Sequence, residues 1–232
     1  MKMIDTIDTI LFDLDGTLIH SVEDIQDALR LAYQRVVGKS DFSFDKNVIG
    51  PPIREIILSL TPDILEDQCV ELIKSFRHNY DESDFPKTIV YREVKPLLRQ
   101  LKKNNLKLFI VTHKRTVTSN NILNKNAIRA YFTEVLGVDY FEGRLVTKVE
   151  MINHIMQKWG IAPERLMMVG DSVGDIQAAK AYKIASVAVL NGYGSTQELL
   201  ESGAQYFVKN MGEISKILKL GKGMSRQSLL KK

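Results

Sequence analysis

Five short apolar runs, separated in the second half of the chain by amphipathic stretches, constrain this sequence most. They fall at residues 9–14 (TILFDL), 106–112 (LKLFIVT), 166–170 (LMMVG), 185–190 (ASVAVL) and 205–208 (QYFV). Runs this short, rich in Ile, Val, Leu and Phe, read as buried strands. Residues 133–138 (TEVLGV) are a candidate for a further short strand. Helical patterns at 94–104, 117–124, 148–159, 172–182 and 196–201 lie between the later runs. Alternation of this kind builds a parallel sheet with helices on both faces, an α/β core of Rossmann-like type.

Residues 18–90 break that rhythm: they offer no convincing strand and at least three helical segments. Ser21, with Asp24 three residues on, predicts a capping box opening a helix over 22–37. Gly50-Pro51-Pro52 marks a turn, and Pro62 is expected to open a helix running to about Tyr80. The expected organisation is a discontinuous core, 1–17 and 91–220, interrupted by an all-helical insert at 18–90. Residues 221–232 form a basic tail expected to be disordered.

Charge and composition narrow the function. The chain of 232 residues has 32 Lys+Arg against 28 Asp+Glu. Lys219, Lys222, Arg226, Lys231 and Lys232 belong to the last stretch, so 27 cations face 28 anions elsewhere. A near-neutral body with a tail lacking aromatic interleaving argues against a nucleic-acid partner. No apolar stretch reaches the roughly 18–20 residues of a membrane span, and the N-terminus meets acids too early for a secretory signal. A single cysteine, Cys69, excludes a disulfide framework and a Cys-based zinc site. The expectation is a cytoplasmic protein with no membrane or nucleic-acid partner, monomeric or homodimeric.

The chemistry concentrates at strand ends. Asp13-Leu14-Asp15-Gly16-Thr17 closes the first run, and in a strand its two acids share a side. Paired carboxylates repel and need a cation or a shared proton. A calcium loop counted from Asp13 would need glycine and glutamate where Leu18 and Asp24 stand, so that reading fails. A second acidic pair, Gly170-Asp171-Ser172-Val173-Gly174-Asp175, follows another strand, and Thr112 ends a third. Ligands of open parallel sheets bind beyond the carboxyl ends of the strands. Hard oxygen donors gathered there suit Mg²⁺, which pairs naturally with phosphate. Lys148 is the candidate cation for the same crevice. Lys114 reads as a surface cation, with support of the loop after Thr112 as its lesser reading. His78, His154, Trp159 and Cys69 read as structural.

Taken in order, DLDGT at 13–17, IVT at 110–112, Lys148 and GDSVGD at 170–175 resemble the four motifs of the haloacid dehalogenase superfamily of aspartate-nucleophile phosphatases. The helical insert is similar to a small C1-type cap, and the chain looks most like phosphoglycolate phosphatases. The resemblance implies that Asp13 is the nucleophile and Asp15 the general acid and base. It implies Mg²⁺ held by Asp13, the Asp15 carbonyl and Asp171, with Asp175 as ligand or support. Thr112 and Lys148 would bind phosphate, and Arg54 and His20 are the candidates for reading the substrate. Two departures stand out: His20 replaces an acid, and Tyr91-Arg92-Glu93-Val94 stands where relatives commonly carry Tyr-Pro-Gly-Val. The implied activity is Mg²⁺-dependent hydrolysis of a small phosphomonoester, phosphoglycolate first. A β-phosphoglucomutase-like sugar-phosphate mutase, a pyrophosphatase and a non-catalytic binding protein are the alternatives.

Overall fold

The computed structural model describes residues 6–39 and 44–218. The expected basic tail lies outside the described residues. In chain order the first half holds β1 (Thr9–Phe12), β2 (Ile19–His20), α1 (Val22–Val37), α2 (Ile53–Leu60), α3 (Glu66–Asp81) and β3 (Ile89–Val90). Next come α4 (Val94–Lys103), β4 (Lys107–Val111), α5 (Thr116–Lys125), β5 (Glu134–Leu136) and α6 (Lys148–Trp159). The chain continues through β6 (Leu166–Gly170), α7 (Val173–Ala181), β7 (Ala185–Val189), α8 (Thr196–Glu201), β8 (Tyr206–Val208) and α9 (Ile214–Ile217).

Six strands pair in the order β5-β4-β1-β6-β7-β8, all parallel. β1 is fully buried, TILF, flanked by β4 and β6 in a register that sets Phe12 beside Ile110 and Val169. Burial on both faces explains why these strands are continuous apolar runs rather than alternating ones. One face packs Phe12, Ile10, Ile110 and Leu98; the other packs Leu11, Phe109, Met168 and Ile155. Because β1 is central, the loop after Phe12 opens between the carboxyl ends of its two neighbours. Its residues therefore meet those of β4 and β6 in one crevice.

The insert is helical, with α1 packed along α3 and α2 against α3. Two features differ from expectation. β2 and β3 form a two-residue antiparallel ribbon at the root of the insert, Ile19 opposite Val90 and His20 opposite Ile89. Two residues are too few for any periodic signal, and the partners lie some seventy positions apart. Pro62 does not open a helix. α2 ends at Leu60, Thr61 N donates to Ile57 O at 2.9 Å, and α3 begins only at Glu66. The acids Glu66 and Asp67 then occupy its first turn, where the helix dipole favours them.

The capping box predicted at α1 is also absent. Ser21 makes no side-chain cap bond; its hydroxyl donates to Asp15 Oδ1 instead. Asp24 turns to the return linker, accepting from Lys87 N at 3.2 Å and Thr88 Oγ1 at 2.6 Å. The ends of the insert are thus tied together by a carboxylate that local sequence assigned to a helix start. Among the described residues no helix is long and apolar enough to cross a membrane.

Candidate active site

Asp13 stands one residue beyond β1 and keeps the sheet's pairing, its N donating to Val169 O at 2.9 Å. That bond aims its carboxylate into the crevice, where Asp171 follows β6 and Asp175 sits in the first turn of α7. The three carboxylates are buried, and each offers an oxygen within 4.8 Å of the others. Lys148, the first residue of α6, enters from the opposite wall. Its Nζ donates to Asp13 Oδ1 at 2.8 Å and to Asp175 Oδ1 at 2.6 Å. A capping box of Thr147 and Glu150 fixes the start of α6 and so the root of that lysine.

Each acid is held by a different device. Asp171 accepts from Thr17 Oγ1 at 2.6 Å and from Tyr193 N at 2.7 Å. Asp175 Oδ2 accepts from Ser172 N at 3.1 Å and Ser172 Oγ at 2.6 Å, closing a capping box at α7. Gly16 lets the Asp13–Thr17 loop pass directly over Asp171: its φ is +79°, and a Cβ there would collide with Asp171 Oδ2.

The electrostatics call for more positive charge than Lys148 supplies. Burial, only partly offset by Lys148, pushes the Asp13 carboxyl well above its ordinary range, and Asp175 and Asp171 push the same way. Burial, followed by repulsion from Asp175, raises Asp171 to about 6. Burial works against the Lys148 ammonium too, yet Asp13 and Asp175 outweigh it and hold its pKa above the usual lysine value. Charges about 4 Å apart interact by roughly 4 kcal/mol at an effective dielectric near 20. Three buried acids around one lysine therefore leave a cation deficit, and their all-oxygen donor set fits a hard divalent ion such as Mg²⁺. Asp13, Asp171 and Asp175 are the carboxylates that could hold it. Asp175, with one oxygen on Lys148 and the other on Ser172, orients the lysine.

Thr112 stands one residue beyond β4 on the third side, buried, its Oγ1 accepting from Lys114 N at 3.2 Å. Its hydroxyl proton stays available to a ligand. Lys114 is not a surface cation: its side chain is 6% exposed, with Nζ 3.2 Å from Asp15 Oδ2 and 2.8 Å from the Tyr80 hydroxyl of α3. The same ammonium lies 4.3 Å from the Tyr80 ring centroid. Burial disfavours its charge, but Asp15 and then Tyr80 outweigh that and keep it protonated. Next to it, His113 Nδ1 pairs with Gly50 O of the insert at 3.0 Å. Burial, then Lys148, pushes that imidazole below its ordinary pKa.

The two candidate substrate readers are bonded to groups other than the three clustered carboxylates. Arg54 lines the cavity under the insert, but its fork is engaged by Glu66 at 2.9 and 2.6 Å. His20 lies on β2, its Nε2 3.3 Å from Glu23 Oε1 and its Nδ1 3.3 Å from the Tyr193 hydroxyl. That hydroxyl also accepts from Ser21 N at 2.7 Å, so Tyr193 joins the β2 hinge to the loop holding Asp171. Tyr80 and Tyr193 are the site residues that sequence reasoning missed; Ser21 read as a helix cap, and Lys114 as a surface cation with support of this loop as its lesser reading. Position beside Thr112 was the one available signal for Lys114.

A haloacid dehalogenase-like hydrolase family model matches residues 10–189, taking in all of these strand ends. The chain belongs to that family. Similar proteins include the tyrosine-protein kinase PtkA of Mycobacterium tuberculosis, 30% identical over 188 residues, which are 80% of this chain and 62% of that protein. The phosphoglycolate phosphatase of Aliivibrio fischeri is 31% identical over 209 residues, 86% of this chain and 91% of the relative. Among solved structures, a predicted phosphatase from Clostridium acetobutylicum superposes with a TM-score of 0.81 at 29% identity, covering 92% of this chain and 99% of the other. The family's arrangement, a parallel Rossmann-like core with an inserted helical cap, is the architecture described above.

Proposed function

We propose that this family member is a Mg²⁺-dependent phosphomonoesterase acting on a small phosphorylated metabolite. The observation that carries the reading is the buried Asp13 carboxylate, 2.8 Å from Lys148 Nζ, beside Asp171 and Asp175. A carboxylate buried among like charges is a poor structural element and, with Lys148 beside it, a candidate nucleophile toward phosphorus. Asp13 forms an O–P bond while the P–O bond to the leaving alcohol breaks, and Asp15 gives that oxygen a proton. Asp15 then takes a proton from the water that attacks the aspartyl-phosphate, which frees Asp13 and inorganic phosphate. Thr112 donates its hydroxyl proton to a phosphoryl oxygen, and Lys148 offsets the charge that would otherwise keep a phosphate dianion from Asp13. Asp13, Asp171 and the Asp15 carbonyl would hold Mg²⁺, which when bound would supply the remaining charge neutralisation.

Phosphoglycolate is the first ester to assay, since phosphoglycolate phosphatases are among the relatives. A phosphate-release screen over small phosphoesters, with and without Mg²⁺, tests the reading. Release that needs Mg²⁺ and disappears in Asp13→Asn while the fold is retained supports it. An active Asp13→Asn protein removes Asp13 from the nucleophile's role. An isomerised sugar phosphate in place of free phosphate points to the mutase reading, which uses the same two aspartates.

A further inference from the structure

The carboxylates open into a cavity of about 400 Å³ roofed by the insert, with Asp13, Asp15 and Thr112 at its floor. Cavities of roughly 300–1,000 Å³ hold drug-sized ligands, whereas a two-carbon acid with its phosphate fills a small part of such a volume. The roof carries an apolar patch, Ile53 and Ile56 from α2 with Val70, Ile73 and Phe76 from α3, and the one acid those helices add, Asp81, is held by Arg115 and Thr118. On α3 the residues at 70, 73, 74 and 77 follow helical spacing, so one stripe of that helix faces the space.

Arginine and lysine side chains also line it, and most are already committed. Arg54 is paired with Glu66, Lys74 with Glu71, Arg115 with Asp81 and Asp139, and Lys114 with Asp15. Arg77 differs. It is half-buried in the lining, and among the described residues it has no carboxylate within ion-pair distance. A guanidinium on an apolar wall, with its fork unfilled, matches a planar anion or the face of an aromatic group.

We propose that Arg77 is a specificity-determining residue, and that the leaving group has a bulky apolar or aromatic body ending in an anionic group such as a carboxylate. The inference rests on the phosphomonoesterase reading and names its substrate class. The apolar roof takes the body through area removed from water. Arg77 fixes the far end while the phosphoryl group lies at Asp13. The expected leaving group is thus larger than glycolate.

Three esters separate the features: 4-carboxyphenyl phosphate, phenyl phosphate and phosphoglycolate, each with Mg²⁺ and the full chain. The expected kcat/KM for 4-carboxyphenyl phosphate exceeds both others by at least about tenfold, the scale of one charged hydrogen bond. Arg77→Ala should remove that advantage over phenyl phosphate chiefly through KM, and Arg77→Lys should retain part of it. Phosphoglycolate turned over as well as the aryl esters, or an Arg77→Ala loss equal on both aryl esters in a folded protein, overturns the proposal. If no ester releases phosphate, the phosphatase reading fails, and calorimetry on Asp13→Asn decides this inference separately. Tighter binding of 4-carboxyphenyl phosphate than phenyl phosphate, abolished by adding Arg77→Ala, upholds it; equal binding of the two overturns it.

Discussion

Lys114 reaches from the loop after β4 to within 3.2 Å of Asp15 Oδ2, and it meets the Tyr80 hydroxyl of the insert at 2.8 Å. One ammonium thus joins the proposed general acid to the roof of the cavity. The pair is nearly sealed from water, the side chains being 6% and 12% exposed. In the proposed reaction Lys114 would hold Asp15 for the leaving oxygen, with Tyr80 of α3 as its second contact.

Lys114→Met should lower turnover most where proton donation matters most. An alkyl phosphate needs its leaving oxygen protonated, whereas 4-nitrophenolate leaves without help. General acid catalysis contributes typically about 10²–10⁴-fold, so loss of positioning should cost the alkyl ester at least about tenfold more than 4-nitrophenyl phosphate. Equal losses on the two esters would reduce Lys114 to a packing residue. Tyr80→Phe, which keeps the ring under the ammonium, should show the same pattern at smaller size.

Lys148→Met should destabilise the metal-free protein. It removes the cation 2.8 Å from Asp13 and 2.6 Å from Asp175 while leaving both carboxylates buried. Breaking a buried pair from one side costs about 3–5 kcal/mol, which for a chain of this size lowers Tm by at least about 6 °C. Mg²⁺ should recover part of the loss, because it supplies charge to the same acids. Melting curves in EDTA and in Mg²⁺ check both halves. A variant that melts with the wild type in EDTA contradicts the charge deficit argued for this cluster.

The parts of this site that were legible in the sequence are those whose signal is local. Asp13 and Asp15 fall at the end of one apolar run, Asp171 and Asp175 within five residues after another, and Thr112 ends a third, so alternation places them in one crevice. Lys148 was readable from its place in the order of motifs. What escaped depends on contacts between distant segments. Lys114 is buried because Tyr80 lies over it, and that tyrosine comes from a different helix of the insert. Ser21 and Asp24 have the spacing of a capping box, but tertiary partners at Asp15 and Thr88 take their side chains. The β2–β3 ribbon has no sequence signature at two residues a side. Arg54 looked available from its position after the prolines, yet Glu66 fills its fork. Arg77 drew no notice, since helical spacing on α3 does not say which stripe meets a cavity.

Gly16→Ala should disable the protein although it adds one methyl. Gly16 has φ +79°, where an L-residue costs roughly 1–2 kcal/mol. The new Cβ would also meet the Asp171 carboxylate and Tyr193 Cγ, at 3.0 Å from the latter. Both partners are pinned, Asp171 by Thr17 and the Tyr193 amide, Tyr193 by Ser21. A destabilisation of about 2–4 kcal/mol with loss of Mg²⁺-dependent activity is expected, measurable by denaturant unfolding. Gly38→Ala is the control for backbone conformation alone. Its φ is +74° and nothing lies within 4 Å of the added atom, so it should cost less and leave turnover intact.

Asp139 sets a pH dependence that can be isolated from the active site. It accepts from Thr116 N at 2.7 Å at the start of α5 and from Arg115 Nε at 2.9 Å. Burial alone would raise its carboxyl, but the Thr116 amide and Arg115 outweigh burial and hold it below the ordinary 3.8. A carboxyl depressed in the folded state is protonated more readily in the unfolded chain. Its stabilisation is therefore complete above the unfolded value and is lost as pH falls through the lower folded one. Asp139→Asn keeps the shape and removes the titration. The wild type should exceed it by about 0.5–1 kcal/mol at pH 6, a figure reduced for solvent access to the pair. That difference should shrink below about pH 3.8, the unfolded value. Acids that do not share Arg115 titrate alike in both proteins and cancel in the comparison, and Asp81, which does share it, is removed from the comparison by measuring both proteins in an Asp81→Asn background. Urea midpoints across that range decide it, and a difference that stays constant with pH would show that Asp139 acts through shape rather than charge.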